Sequence, residues 1–109
     1  MAKFSNEMNI SQISMSFSVK CFCTIGKSLC TYEVEVLLKP TSTIPDYLEV
    51  QDDVLEMNNH WYTMEAACEQ IFNIVSGHVN GQFQSLRVSV YCADARHFPV
   101  EVVKEESVR

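Results

Sequence analysis

The sequence has 109 residues, 47% of them hydrophobic and 20% charged, with 3 Gly and 3 Pro, proportions that fit one ordinary domain built around a single core. Eight Lys+Arg against 14 Asp+Glu give a formal charge of -6. No cationic excess is available to neutralise phosphates or anionic lipid, so neither nucleic acid nor a membrane is expected as a partner.

No apolar run approaches the roughly 20 residues that span a bilayer. The opening MAKFSNEMN lacks the apolar stretch of a secretion signal, so a cytoplasmic protein is expected. Cys21, Cys23, Cys30, Cys68 and Cys92 are an odd number of cysteines, which in such a chain argues for reduced thiols over a disulfide framework. Only Cys21-Phe22-Cys23 is closely spaced and His60, His78 and His97 stand singly, so the paired spacing of a zinc site is missing and no metal is expected.

Ile13, Met15, Phe17, Val19, Cys21, Cys23 and Ile25 alternate with Ser14, Ser16, Ser18, Lys20 and Thr24, the pattern of a long strand with one apolar face. Gly26-Lys27-Ser28 interrupts it, and Tyr32, Val34, Val36 and Leu38 then alternate with Glu33, Glu35 and Lys39, completing an antiparallel hairpin. Its polar face is serine-rich on one strand and acidic on the other. Pro40 to Pro45 reads as a turn-rich connector. Tyr47, Leu48, Val54 and Leu55 then lie near helical spacing, with Asp46 and Glu49 at the acid-favouring start, which predicts a first helix over 46–57. Asn58 to Tyr62 reads as a loop. Thr63 can cap a second helix carrying Met64, Ala67, Cys68, Ile71, Ile74, Val75 and Val79 on one stripe, ended by Gly77 or by Asn80-Gly81.

Period two returns in Leu86, Val88, Val90 and Cys92 and again in Phe98, Val100 and Val102, a second hairpin closed around Ala93 to Arg96. Residues 1–9 and 104–109 are expected to be flexible ends. The whole is one α+β domain over 1–109 in the order ββααββ, a four-stranded antiparallel sheet with two helices on one face. Long outer strands would leave unpaired edges, a liability relieved by closure or by neighbouring copies. A homo-oligomer, a ring of sheets, is the expectation.

This order, with a glutamate opening the second helix, resembles the tunnelling fold shared by several pterin and purine enzymes. The spacing is similar to that of 7-cyano-7-deazaguanine reductase of the queuosine pathway, in which a cysteine nucleophile stands in a turn ahead of a strand. An Asn-His pair there is followed five residues on by a substrate-anchoring Glu. This sequence has Cys23-Thr24-Ile25-Gly26-Lys27, then Asn59-His60-Trp61-Tyr62-Thr63-Met64-Glu65. The resemblance implies thiol addition to a nitrile and hydride delivery from NADPH. The reductase has proline after its cysteine and an aspartate proton donor seven residues on; here Thr24 and Cys30 occupy those places, and Asn58 replaces an arginine. Dihydroneopterin aldolase is similar in Thr24-Ile25-Gly26 and in its helix-borne Glu, although Cys92-Ala93-Asp94-Ala95 stands where it carries a catalytic lysine. The likeness to 6-pyruvoyltetrahydropterin synthase is looser, without the three zinc-binding histidines.

A carboxylate can accept two parallel hydrogen bonds from the N–H and amine edge of a guanine-like or pterin ring, the role the resemblance gives Glu65. The same residue is equally a first-turn acid favoured by the helix dipole. Cys23 is a nucleophile if turn amides or Lys27 activate its thiol, yet its parity with Val19 and Cys21 places it in the core. Cys30, nearer the turn, is expected to be more exposed. His60 can act as acid or base, and Trp61 and Tyr62 can stack on a planar ring or pack the loop on the sheet. Arg96 and His97 adjoin the second turn, and His78 reads as a helix-end cation favoured by the dipole. The reading that follows is a protein binding a pterin- or purine-like small molecule between subunits, with Cys23 or His60 as reactive group and Glu65, Trp61 and Tyr62 holding the ligand. Its rival is a non-enzymatic assembly module with an acidic face.

Overall fold

A computed structural model describes residues 3–24, 27–93 and 98–108. The alternation over Ile13–Phe22 forms β2, and that over Leu29–Pro40 forms β3. They pair antiparallel with Ile13 opposite Leu38 and Phe22 opposite Leu29. Because side chains alternate across a strand, Met15, Val19, Val34 and Val36 all fall on the buried face. Ser16 stands opposite Glu35 and Ser18 opposite Glu33 on the other. The Ser18 hydroxyl donates to Glu33 Oε2 at 2.6 Å, as the contrast of a serine strand with an acidic strand anticipates.

β5 (Phe83–Cys92) joins the far side of β3, and β6 (Val100–Ser107) joins β5, giving the antiparallel order β2-β3-β5-β6. Helices α1 (Tyr47–Leu55) and α2 (Met64–His78) lie between the two hairpins in sequence. They cover the apolar face through Val50, Val54, Ala67, Cys68, Ile71, Phe72 and Val75, all buried. Asp46 caps α1 by accepting from the Leu48 amide at 3.0 Å, and Thr63 caps α2 by accepting from the Ala66 amide at 3.1 Å. α2 runs through Gly77 to His78, with Val79 as its C-cap, and the chain turns just beyond at Asn80-Gly81. Both residues take positive φ (54° and 70°), and the Gly81 amide returns to the Ser76 carbonyl at 2.8 Å.

The structure departs from the sequence reading at several places. β2 ends at Phe22, so Cys23 lies beyond the strand and is half-buried. Within α1 the buried positions are Val50 and Val54, four apart on one face of the helix, whereas Tyr47 and Leu48 face solvent. Part of the connector is a strand: β4 (Thr43–Pro45) pairs with β1 (Lys3–Ser5) in a two-stranded sheet of its own. β6 continues to Ser107, opposite Ser85. Of the second turn, residues 94–97, with Arg96 and His97, lie outside the described residues. No described helix is long and apolar enough to cross a membrane.

Candidate functional site

The segment after α1 runs along the outer edge of β2. Lys20 donates its amide to Asn58 Oδ1 at 2.9 Å and accepts from the Asn59 amide at 2.7 Å. Phe22 donates to the His60 carbonyl at 2.8 Å and accepts from the Tyr62 amide at 2.9 Å. Asn59 makes the required turn with φ 66°, a left-handed conformation that asparagine tolerates. The loop is thereby extended, and neighbouring side chains part company. Trp61, 56% exposed, stacks on Phe22 with ring centroids 5.0 Å apart. His60 and Tyr62 border a recess of about 460 Å³ between α1 and α2, with Asp53, Glu56, Gln70 and Asn73.

Beneath the loop stands Tyr32, 1% exposed, whose hydroxyl donates to the Tyr62 carbonyl at 2.8 Å and also shares a hydrogen bond with the Cys23 thiol. Burial, followed by the neighbouring thiols of Cys23, Cys30 and Cys21, drives its pKa upward from 10.0. Tyr32 is therefore a neutral donor at physiological pH, tying the cysteine to the loop. Cys23 itself is held by backbone bonds, donating to the Ser28 carbonyl at 2.9 Å and accepting from the Lys27 amide at 2.7 Å. Two candidates, Cys23 and Tyr62, are thus joined through a residue that sequence analysis placed only in the core.

Glu65 sits exposed in the first turn of α2, and its carboxylate has no hydrogen-bond or ion-pair partner among the described residues. It is three positions beyond Tyr62 and does not border the recess that holds His60. The candidates therefore do not form a single pocket in one copy: His60 and Tyr62 border the recess between the helices, Trp61 stacks on Phe22, and Glu65 faces solvent.

The remaining cysteines are core residues. Burial, with a smaller contribution from Cys30, pushes the Cys21 thiol up from 9.0 to about 11. Burial also raises Cys68, against the opposing pull of a backbone bond to Lys104 and of its charge. Cys30, expected to be exposed, is only 7% so, because it pairs directly with Cys21 on the apolar face. His78 is likewise not a surface cation. It is 1% exposed, and its Nε2 donates to Asp53 Oδ2 at 2.6 Å. Its position on the stripe of Ile71 and Val75 was the signal for burial. Among the described residues no group of three His, Cys, Asp or Glu side chains could hold a metal ion.

No family model and no curated protein matches the sequence. Solved structures do match in shape. The archaeosine synthase QueF-Like, in its apo form, is 21% identical with a TM-score of 0.77 over 88% of this chain and 93% of that one. A putative dihydroneopterin aldolase from Vibrio cholerae is 13% identical with a TM-score of 0.70 over 89% and 97%. A Burkholderia dihydroneopterin aldolase bound to guanine is 14% identical with a TM-score of 0.58 over 94% of each chain. These likenesses establish that the chain has the tunnelling fold.

Proposed function

We propose that the chain binds a flat purine- or pterin-like heterocycle at a site shared between copies of itself, with Glu65 gripping the N–H edge of the ring. The observation that carries this reading is the placement of Glu65: an exposed carboxylate without a partner among the described residues, at the capped start of α2 and directly after an aromatic loop pinned to β2. A carboxylate so placed accepts two parallel hydrogen bonds from a guanine-like edge, and Trp61, exposed on the loop four positions earlier, offers an aromatic face on which the ring of a neighbouring copy's ligand stacks. The fold agrees, since one structure sharing it holds guanine.

A second copy completes the site. β6 pairs only with β5 among the described strands, and the Ile13–Ser18 edge of β2 is not covered by the loop that caps Lys20 and Phe22. These edges are available to neighbouring sheets. Cys23 is the candidate nucleophile. Adding its sulfur to a nitrile carbon forms one C–S bond, breaks one C–N π bond and leaves the thiol proton on nitrogen, with His60 as proton carrier. The resemblance to the reductase also suggests NADPH, but the residues present do not fit it. The recess that His60 and Tyr62 border carries Asp53 and Glu56, and a second recess among the described residues, on the sheet face of Ser16 and Ser18, carries Glu33, Glu35 and Glu101; these acids repel a dinucleotide's phosphates.

The test is a thermal-shift screen with guanine, neopterin and 7-cyano-7-deazaguanine on wild type and Glu65→Ala. At least one ligand should raise the wild-type melting temperature by mass action and leave Glu65→Ala unmoved. A shift that survives in Glu65→Ala refutes the anchor, and no shift with any ligand favours the assembly module.

A further inference from the structure

We infer that a recess on the face of the sheet away from the helices binds a primary ammonium group through Glu35, Ser89 and Tyr91. The strand register shapes this recess. Ser16, Glu35, Ser89 and Val103 stand side by side across β2, β3, β5 and β6, and the next row on that face is Ser18, Glu33, Tyr91 and Glu101. Ser89 is short and flanked by longer side chains, so the surface dips there into a space of about 320 Å³. Glu33, Glu35 and Glu101 border it, and no lysine or arginine does. Two of these carboxylates are already engaged: Glu33 Oε2 accepts from the Ser18 hydroxyl at 2.6 Å, and Glu101 meets Arg87 at 4.0 Å. Glu35 has no hydrogen-bond or ion-pair partner among the described residues.

Ser89 is the feature that points to a ligand. It is 7% exposed and borders the recess, yet its hydroxyl has no hydrogen-bond partner among the described residues. A hydroxyl withdrawn from solvent and left unpaired costs free energy, and a polar group seated in the recess removes that cost. Ser89 lies directly opposite Glu35, and side chains so paired start about 4.5–5.5 Å apart. One ammonium bridges that span, donating an N–H to the Glu35 carboxylate and another to the Ser89 oxygen. Tyr91, 40% exposed on the same recess, offers its ring to the cation and to an apolar stem. Compact, freely turning donors suit a carboxylate and a hydroxyl on separate strands, whereas the rigid fork of a guanidinium suits the two oxygens of one carboxylate. His60, Trp61, Tyr62 and Glu65 do not border this recess, so it is separate from the site proposed for the heterocycle.

The test is an amide-resolved NMR titration of the full chain with benzylamine, at about 150 mM salt so that diffuse attraction to the acidic surface is screened. Benzyl alcohol is the uncharged control, and benzyltrimethylammonium is a cation without N–H donors. Benzylamine should saturate shifts confined to residues 16–18, 33–35, 89–91 and 101, and both controls should bind at least about fivefold more weakly. Glu35→Gln, at an exposed position, should weaken benzylamine about tenfold and Ser89→Ala about fivefold. Glu65→Ala should leave it unchanged, whatever that variant does to a heterocycle. A peptide lysine, supplied as Nα-acetyl-lysine amide, that binds more tightly than benzylamine assigns the ammonium to a protein side chain; weaker binding assigns it to a free amine. Either control matching benzylamine, shifts spread over Glu49, Asp52 and Asp53, or unchanged affinity in Glu35→Gln or Ser89→Ala would overturn the assignment.

Discussion

Replacing Tyr32 with phenylalanine tests how the candidate loop is held. The ring is 1% exposed and stays in place, so no cavity opens, and the change removes only the hydroxyl that donates to the Tyr62 carbonyl at 2.8 Å and meets the Cys23 thiol. A net hydrogen bond is worth about 0.5–1.5 kcal/mol, and leaving the half-buried Tyr62 carbonyl short of a donor adds to that. A loss of about 1–1.5 kcal/mol follows, or roughly 4–8 °C in melting temperature for a domain of this size. The effect should also be local. Amide exchange should accelerate at Asn59 and Tyr62, whose protons bond to the Lys20 and Phe22 carbonyls, while the β3–β5 ladder keeps its protection. A Tyr32→Phe protein that loses under about 0.3 kcal/mol and protects Asn59 and Tyr62 as before would show that the hydroxyl does not hold the loop.

Alkaline pH should destabilise the fold through Cys21, whose thiol is raised from 9.0 to about 11. A thiol that keeps its proton longer in the folded chain contributes fully below pH 9, and that contribution, of order 2 kcal/mol, is lost as pH climbs toward 11; urea melts of Cys21→Ala should show a flatter slope across this window. Gly81→Ala meets nothing closer than Ser76 Oγ at 4.0 Å but must hold φ +70°, so a backbone cost of about 1 kcal/mol is expected in chemical denaturation, and a neutral result would refute the strain argument. Asp53→Ala leaves the buried His78 without a hydrogen-bond partner at either nitrogen and should cost about 1–3 kcal/mol. Sedimentation equilibrium should return a multiple of the chain mass, since the β2 and β6 edges are open to further pairing.

What the sequence disclosed follows from which interactions are local. Period-two alternation located all four strands of the main sheet, since a half-buried strand repeats its environment every second residue. Thr63 announced the start of α2 because its cap bond spans three residues. The pairing of β1 with β4 joins residues about forty positions apart through three-residue strands, too short to carry a periodic signal. Cys30 was misjudged from its nearness to the turn, although its parity with Tyr32 and Val34 already assigned it to the apolar face. His78 was read through the helix dipole, a surface effect, when its spacing from Ile71 and Val75 marked the buried stripe. The candidate site was legible only as residue types: Tyr32 links Cys23 to the loop that carries His60, Trp61 and Tyr62, and Glu65 follows that loop on α2. Their divergence was not legible, because it depends on backbone bonds between the loop and the β2 edge that have no side-chain signature. Tyr32 was invisible for a related reason, since a strand tyrosine of apolar parity looks like core until its hydroxyl is seen to reach the loop.

The central claim is that one carboxylate grips the ring, and calorimetric titration of guanine into wild type and Glu65→Gln tests it most directly. Glu65→Gln keeps the shape and removes the charge that makes the two hydrogen bonds strong, so its affinity should fall by at least about tenfold while the oligomer is unchanged. Equal affinity for guanine in both proteins would contradict the account.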